Sequence, residues 1–376
     1  HDWRVSTEAA LSESALRGAG RERVERVSID VHVDKALGAG WRAVFADRLD
    51  ARRQPDPGAR DNVNTLKEAY LSWQAAPDVI ADLGRVNVRH GSAYGYNPTD
   101  YFRAGALRSV TSIDPASLRE NRLGSVMLRG QVLWTDGSLS ALYSPKLADQ
   151  PSAGEFSADL GATNRRDRWL VAASHKISDR LNPQALLYGA AGEPVQLGLN
   201  LSALLNDATV AHLEWSGGRS ASLLAQALAL QDGSAFRSRL STGLTYTAPN
   251  KLSLTVELQA NGAGLASAEW DALRSAAPAA YGRYRGFVAD LQDPPTRQRV
   301  FLRAHWEDAF MNHLDLTGMS YFDAVDSSRL FLVEARYHWP RVDVALLWQL
   351  NSGQPGSSYG GLPQRRIWQA LAKYFF

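Results

Sequence analysis

The chain contains no cysteine among its 376 residues and only three methionines. The absence of cysteine excludes a thiol nucleophile, a disulfide framework and a metal site with cysteine ligands. It suits export through an oxidising compartment such as the periplasm. Long apolar runs are also absent, since no stretch approaches the roughly 18 to 20 residues that a membrane-spanning helix needs.

An excess of charge of either sign is lacking as well. Lysine and arginine number 41 against 39 acidic residues, which gives a net charge of +2. No basic stripe or basic helix is present, so we expect no nucleic-acid partner. Because the chain begins at His1 rather than at methionine, we expect that a signal peptide has been removed.

The main positive feature is a two-residue alternation of apolar and polar side chains. From Val195 to Ala203 the odd positions are apolar and the even positions are polar or glycine. Leu252 to Ala260 repeats the pattern on the even positions. This period is that of a strand with one apolar face, and turn residues separate the alternating segments.

The end of the chain carries the same pattern in a diagnostic form. Stepping back by twos from Phe376 gives Tyr374, Ala372, Ala370 and Trp368. An alternating strand with a terminal phenylalanine and flanking aromatic residues is typical of the closing strand of a bacterial outer-membrane β-barrel. We therefore interpret Trp368, Tyr374 and Phe376 as the insertion signal.

These patterns predict an all-β protein, a single transmembrane antiparallel up-and-down β-barrel over residues 1–376. We count eighteen strands, with sixteen as the alternative, and both chain ends on the periplasmic side. The eleventh strand is interpreted as one long bulged strand. The predicted strands are 2–11, 23–34, 41–51, 64–74, 79–90, 124–134, 137–146, 166–177, 183–190, 195–205, 208–226, 237–247, 252–260, 298–308, 313–322, 330–339, 341–350 and 366–376.

Two connections on the outer side are too long to be turns, residues 91–123 and residues 261–297. Asp114 before Pro115 predicts a capped helix in the first, and residues 268–277 favour a helix in the second. We expect at least one of these extracellular loops to fold inward and constrict the pore. By resemblance to porins, in which the loop after strand five narrows the pore, the residues expected at the constriction are Tyr94, Tyr96, Asp100 and Tyr101. The alternative is a loop whose polar groups only satisfy one another.

The polar faces of the strands predict a charged lumen. If Gly84, Val86 and Val88 face lipid, their neighbours in strand five face the pore. The predicted pore-lining residues are Arg85, Asn87, Arg89, Arg129, Gln131, Arg299 and Arg303. They form either a basic ladder that selects anions or a network of paired charges that seals the barrel.

Signatures of catalysis are weak. The eight histidines are scattered, without a His-x-x-x-His pair, and no phosphate-binding loop is present. His212 with Glu214 and His305 with Glu307 share strand faces, which we interpret as solvated lumen residues. The sequence thus predicts no catalytic residues, no metal and no cofactor.

The eighteen-strand plan, the loop from Gly91 to Phe102 and the segment from Lys67 to Trp73 resemble two kinds of Gram-negative barrel, alginate-export-like and substrate-specific porins. The resemblance implies location in the outer membrane. It implies contact with outer-membrane lipid and lipopolysaccharide, the barrel-assembly machinery, a hydrophilic solute or polysaccharide and a periplasmic partner.

Three functions follow as hypotheses. The first is a monomeric channel for a hydrophilic, anionic or saccharide-like molecule, in import or export. The second is a sealed structural barrel in an envelope complex. The third, a hydrolase at the barrel wall, would need an outward serine beside a histidine.

Overall fold

The computed structural model describes residues 2–18, 20–54, 61–231 and 233–376, which form a closed barrel of eighteen strands. Each strand pairs antiparallel with its neighbours in the chain, and β18 pairs with β1 to close the sheet. No helix among the described residues is long and apolar enough to cross a membrane.

The strands are β1 Trp3–Leu16, β2 Arg21–Gly38, β3 Trp41–Arg53, β4 Asn62–Ala76, β5 Val79–Val86, β6 Ser125–Trp134, β7 Gly137–Ser144, β8 Arg168–His175, β9 Leu181–Ala190, β10 Gln196–Asn206, β11 Thr209–Ser220, β12 Ala235–Thr247, β13 Leu252–Asn261, β14 Gln298–Trp306, β15 Leu314–Asp323, β16 Arg329–His338, β17 Val342–Ser352 and β18 Gln364–Phe375. The short helices are α1 Pro115–Glu120, α2 Leu160–Thr163, α3 Leu223–Leu228, α4 Ser267–Ser275 and α5 Pro278–Leu291.

Each of the eighteen predicted strands corresponds to one strand of the barrel, so the predicted fold and strand count are confirmed. The eleventh strand was predicted to run to residue 226, and this part of the prediction is wrong. β11 ends at Ser220 and pairs with β12 without a bulge. Ser222 then caps α3 by accepting a hydrogen bond from the backbone of Ala225, so the chain leaves the sheet.

All of the long connections lie at one end of the barrel. At the other end the strands are joined by turns of at most seven residues, such as 135–136 and 207–208. The connections 87–124 and 262–297 are both among the long ones. This asymmetry is typical of outer-membrane barrels, in which the long loops are extracellular.

The outward face of the wall is apolar. Leu254, Val256 and Leu258 on β13 are exposed, as are Leu197 and Leu199 on β10. Exposed aromatic residues lie towards the strand ends, where the membrane interfaces of a barrel would be. They include Trp3, Trp41, Trp73, Trp134, Tyr143, Tyr246, Trp339 and Tyr374.

Strand five departs from the prediction at its last four residues. It ends at Val86 instead of residue 90. Leu83 is exposed and pairs with the exposed Leu128 of β6, so Gly84 and Val86 lie on the inward face of the strand. Val86 and Val88 therefore do not face lipid. They pack in a buried apolar cluster with Phe102 and Met127, so the lumen is in part apolar and not uniformly charged.

Candidate functional site

The connection between β5 and β6, residues 87–124, crosses the lumen and is called the crossing loop here. Its Ser109 hydroxyl donates to Asp50 on β3 at 2.5 Å. On the other side of the barrel, Thr99 donates to Asn200 on β10 at 2.7 Å. Contacts with inward side chains of such distant strands show that the loop lies inside the barrel.

Two fully buried glutamates bind the tip of the crossing loop. Glu257 on β13 accepts hydrogen bonds from the backbone N–H groups of Tyr94 and Gly95, the second at 2.8 Å. Glu214 on β11 accepts from the N–H of Ala93 at 2.5 Å and from the Asn97 amide at 2.9 Å. Hydrogen bonds to a carboxylate are stronger than neutral ones, so this wall fixes the loop.

Gly91 shows how close the loop lies to this wall. Its φ is 93°, and a Cβ atom at this position would lie 2.3 Å from the carboxylate oxygens of Glu214. Only glycine fits both the backbone conformation and the approach.

A second contact joins the crossing loop to the segment after α5. Asp293 accepts from the Tyr96 hydroxyl at 2.8 Å and from Arg103 at 2.5 Å, and Arg239 lies 3.5 Å away. Burial alone would raise the pKa of Asp293, but Arg239 and Arg103 together hold this pKa below its usual range. The Asp293 carboxylate is therefore charged at neutral pH.

The base of the loop is held by Arg122. Its guanidinium donates to both carboxylate oxygens of Asp100, at 2.9 and 3.1 Å, and to Asn87 at 2.9 Å. Such a two-pronged pair fixes both partners in orientation. Asp100 and Asn87 thus hold the loop together.

Helix α1 is the part of the loop that divides the lumen. Asp114 caps it by accepting from the Ser117 backbone at 3.3 Å, with Pro115 in the first turn, as predicted. The Tyr94 hydroxyl donates to the same carboxylate at 3.2 Å. Burial raises the pKa of Tyr94 to about 12, so the phenol keeps its proton and its donor role at neutral pH.

The inner cavity, of about 300 Å³, lies between α1 and the wall of β1–β3 and β14–β18. Its wall carries more basic than acidic side chains, whereas α1 contributes Asp114 and Glu120. The charged wall residues are Arg26, Arg48, Arg303, Arg336 and Lys373, with Glu8, Asp30 and Glu334. An electric field therefore runs across the cavity, from the basic wall to the acidic helix.

Two further cavities lie beside the loop. The middle cavity, of about 260 Å³, contacts the opposite face of α1 at Pro115 and Leu118. The outer cavity, of about 720 Å³, is bounded by the long loops and by Tyr101 stacked on Tyr188, with ring centroids 4.5 Å apart. Asp293 and Arg103 border both cavities, so their contact separates the outer cavity from the middle one.

The four predicted constriction residues all make contacts within the barrel. Tyr101 donates to the Leu197 carbonyl at 3.0 Å and lines the outer cavity. Tyr94, Tyr96 and Asp100 line the middle cavity and hold the loop as described above.

The predicted pore-lining arginines are not brought together. Arg85 is buried and donates to the Leu66 carbonyl at 3.3 Å. Arg89 was predicted to face the lumen from strand five, but β5 ends at Val86, before this residue. Arg129 pairs with Asp82 at 2.7 Å, and Gln131 follows on the same face of β6.

The two predicted arginines of β14 lie beside different cavities. Arg303 lies over the Tyr94 ring, 4.3 Å from its centroid, and lines the inner cavity. Arg299 donates to Gln259 at 2.7 Å, lies over the Tyr321 ring and lines the middle cavity.

Sequence reasoning missed the basic residues Arg26, Arg48, Arg336 and Lys373 as part of the site. Alternation places each on an inward face, for example Lys373 between Ala372 and Tyr374. The missing information was which part of the wall the crossing loop leaves uncovered. The inward glutamates of β11 and β13 have no lysine or arginine next to them on the same strand face. This pattern would have indicated the part of the wall that the crossing loop covers.

Residues Gly356 to Gly360 fit the Gly-x-Ser-x-Gly pattern of hydrolase nucleophiles. The central Ser358 is buried and donates its hydroxyl to Asp323 at 2.6 Å. It lies in a loop rather than on the required strand-to-helix turn. The nucleophile-elbow geometry is thus not formed.

The ring of His212, which shares a strand face with Glu214, lies 3.3 Å from Glu257, the carboxylate that binds the loop tip.

The residues of the predicted insertion signal lie on the outer surface. Trp368 and Tyr374 share the outward face of β18, and Trp368 contacts Trp348 on β17. Phe376 follows the strand, donates its N–H to the Val5 carbonyl and contacts Tyr374. Their role in insertion stays a prediction.

No sequence-family description and no curated protein sequence matches this chain. Solved structures match over its whole length. The outer membrane protein OpdK from Pseudomonas aeruginosa is 11% identical, with 100% of this chain and 99% of that chain covered and a TM-score of 0.60. OccAB1 from Acinetobacter baumannii is 11% identical, with 100% and 96% covered and a TM-score of 0.62. A structure of Pseudomonas aeruginosa OpdK with vanillate is 10% identical, with 100% of this chain and 98% of that chain covered and a TM-score of 0.61. The chain therefore has the closed barrel fold that these outer membrane proteins share.

Proposed function

We propose that this protein is an outer-membrane channel for small hydrophilic, charged solutes. The observation that carries the proposal is the inner cavity, in which a basic wall faces the acidic side of α1 across an unfilled space. A solute in a narrow, low-dielectric passage feels such a field strongly. The wall would guide the anionic group of the solute, and the helix would orient the rest.

The fold supports this proposal, because the similar structures are outer membrane proteins and the outward face of this barrel is apolar. OpdK was solved with vanillate, which carries a carboxylate. A small carboxylate is therefore the first solute to test. Of the two barrel types that the sequence resembles, the substrate-specific porin agrees better with this mixed lumen. A polyuronate exporter would need a strongly basic one.

The outer cavity also carries an excess of positive charge, which favours an anionic solute. Arginines outnumber acids around it, and within the described residues no acidic side chain pairs with Arg168 or Arg219. Arg168 is buried, lies over the Phe102 ring at 4.4 Å and donates to Ser125 at 3.0 Å. An unpaired buried cation is costly without a counter-charge, which an anionic solute would supply.

A sealed structural barrel is the second candidate. It is favoured by the internal charge pairs, for example Lys67 with Asp30 at 2.6 Å, and by the contacts that separate the three cavities. In a sealed barrel the paired charges would only stabilise the wall and would bind no solute.

Single-channel conductance in a planar bilayer, with reversal potentials in a salt gradient, separates the two candidates. We would compare the wild type with Arg303→Gln/Lys373→Gln and with Arg85→Ala/Arg89→Ala/Arg129→Ala. A steady conductance whose anion preference falls mainly in the first variant supports the channel and the inner cavity. A larger fall in the second variant would place the selective element at β5 and β6. Silence from correctly inserted barrels would favour the sealed barrel.

A further inference from the structure

The lipid-facing wall carries a cluster of arginines at the loop end of β18, β1, β2 and β3. Arg21 and Arg23 lie on the outward face of β2, which continues with the exposed Val27 and Ile29. Arg366 precedes Trp368 on the outward face of β18. Arg53 ends β3 directly opposite Glu25 of β2. We call these four arginines the rim cluster.

The strand register places the rim cluster in adjacent rows. Arg366, Ala15 and Arg21 are paired across three neighbouring strands. The two arginines of this row are thus about 10 Å apart, since strands lie about 4.8 Å from each other. Trp368, Glu13 and Arg23 form the next row.

The cluster keeps an excess of positive charge. Arg21 pairs with Glu13 at 3.0 Å and Arg23 with Glu25 at 2.8 Å, and all four of these side chains are about half exposed or more. Four arginines against two glutamates leave two positive charges on a lipid-facing surface. Other outward residues near this end are apolar or aromatic, such as Tyr143, Leu197 and Phe236, and an arginine, Arg329, lies at the start of β16.

An apolar groove lies next to the rim cluster, towards the middle of the barrel. Its volume is about 630 Å³, and small side chains on neighbouring strands create it, namely Ala9 on β1, Ala51 on β3 and Ala370 and Ala372 on β18. Arg53 lies at its border. The surface thus offers cations at the level of lipid headgroups and an apolar slot at the level of acyl chains.

We propose that this surface binds a phosphorylated, multiply acylated lipid of the outer leaflet, of the lipid A type. The phosphates would contact Arg21, Arg23 and Arg366, and one acyl chain would lie in the alanine-lined groove. Arginine suits a phosphate because its planar fork can donate two hydrogen bonds at once. Charged side chains are tolerated on a lipid-facing wall only near the interface, which is where this cluster lies.

The test measures lipid binding to the purified barrel in detergent by native mass spectrometry. The probes are bisphosphorylated lipid A, the same lipid after removal of its phosphates, and phosphatidylglycerol. We expect wild type to prefer bisphosphorylated lipid A. The variant Arg21→Gln/Arg23→Gln/Arg366→Gln should bind it about a hundredfold more weakly, from about fivefold for each arginine near an anionic lipid.

Two controls separate the site from general charge and from folding. The matched triple variant Arg180→Gln/Lys251→Gln/Arg341→Gln removes three cations from the short-turn end and should bind as wild type. Ala370→Leu fills the groove and should weaken binding, whereas Ala173→Leu on the outward face of β8 should not. Equal binding of the dephosphorylated lipid, or equal losses in the two triple variants, would overturn the proposal.

The inference rests on the proposed outer-membrane location but not on conduction. Conductance is therefore recorded on the same preparations. Selective lipid binding by a silent barrel would contradict only the channel, and conduction without lipid selectivity would contradict only the lipid site.

Discussion

The two sides of the lumen use the same residue types for different purposes. On the side of β11 and β13, buried Glu214 and Glu257 accept hydrogen bonds from the backbone of the crossing loop. On the side of β1–β3 and β14–β18, acids pair with arginines, as in the contact of Arg26 with Glu8 at 2.7 Å, and basic side chains face a cavity. On the first side the carboxylates fix the backbone of the loop tip, whereas on the second side they are shared among arginines, and basic side chains line the inner cavity.

The largest change in conductance is expected when the crossing loop is released from the wall of β11 and β13. In Glu214→Gln/Glu257→Gln each amide nitrogen is a donor that competes with the donors of the loop. Leaving these buried groups unsatisfied costs about 3 kcal/mol, which raises the population of the displaced loop about a hundredfold. Channel recordings should show larger and noisier openings.

Glu307→Gln is the matched control for this variant, because Glu307 is exposed and lies in a turn at the short-turn end. It should conduct as wild type. Wild-type openings in the double variant would show that the two glutamates do not hold the loop.

The next largest effect is a change in selectivity, with the hydrogen bonds that hold the loop tip kept. Arg303→Gln/Lys373→Gln removes two positive charges from the cavity wall and leaves the contacts of Glu214 and Glu257 intact. Each charge is worth about 1 kcal/mol to an ion in the passage, so the anion-to-cation permeability ratio should fall about fivefold per site. The reversal potential in a salt gradient measures this ratio. An unchanged potential would remove the basic wall from the pathway.

Acid should loosen the contact between the crossing loop and Asp293. The pKa of Asp293 is depressed in the folded protein, so its contribution is fully present above the ordinary carboxyl pKa of about 4 and is lost as pH falls below it. The loss approaches about 1.4 kcal/mol for each pH unit between the ordinary pKa and the lower pKa of the folded protein, and it is complete below that lower pKa. Openings should lengthen below about pH 4 in the wild type.

Asp293→Asn supplies the reference for the acid experiment. Its openings at neutral pH should already match those of the acidified wild type and should then respond less to acid. An equal acid response in wild type and variant would assign the effect to another group.

The smallest change in conductance is expected from a substitution at the N-terminus of α1. Asp114→Ala removes the helix cap and the acceptor of the Tyr94 hydroxyl, at a cost of about 1 kcal/mol. It also removes one acidic charge from the helix side of the cavity. Conductance noise should rise modestly while anion preference increases. A fall in anion preference would contradict the proposed direction of the field.

The sequence was informative where local physics decides the structure. Period-two alternation and turn residues located all eighteen strands, and Asp114 with Pro115 located α1. It was less informative where contacts across the lumen decide. In strand five Leu83 faces outwards, so Val86 lies on the inward face, and Val88 lies beyond the strand in a cluster with Phe102 of the crossing loop. The wall that stays uncovered depends on where the loop docks, so the sequence did not single out Arg336 and Lys373.

The most direct test of the proposed pathway uses the lack of native cysteine. Ala116→Cys places a single thiol on the face of α1 towards the inner cavity, and Leu118→Cys places one on the face towards the middle cavity. A charged, thiol-specific reagent is applied to each during single-channel recording. If solute passes between α1 and the basic wall, modification at residue 116 lowers the conductance and a negatively charged adduct shifts selectivity towards cations. Unchanged current after complete modification at residue 116, with block at residue 118, would contradict this pathway.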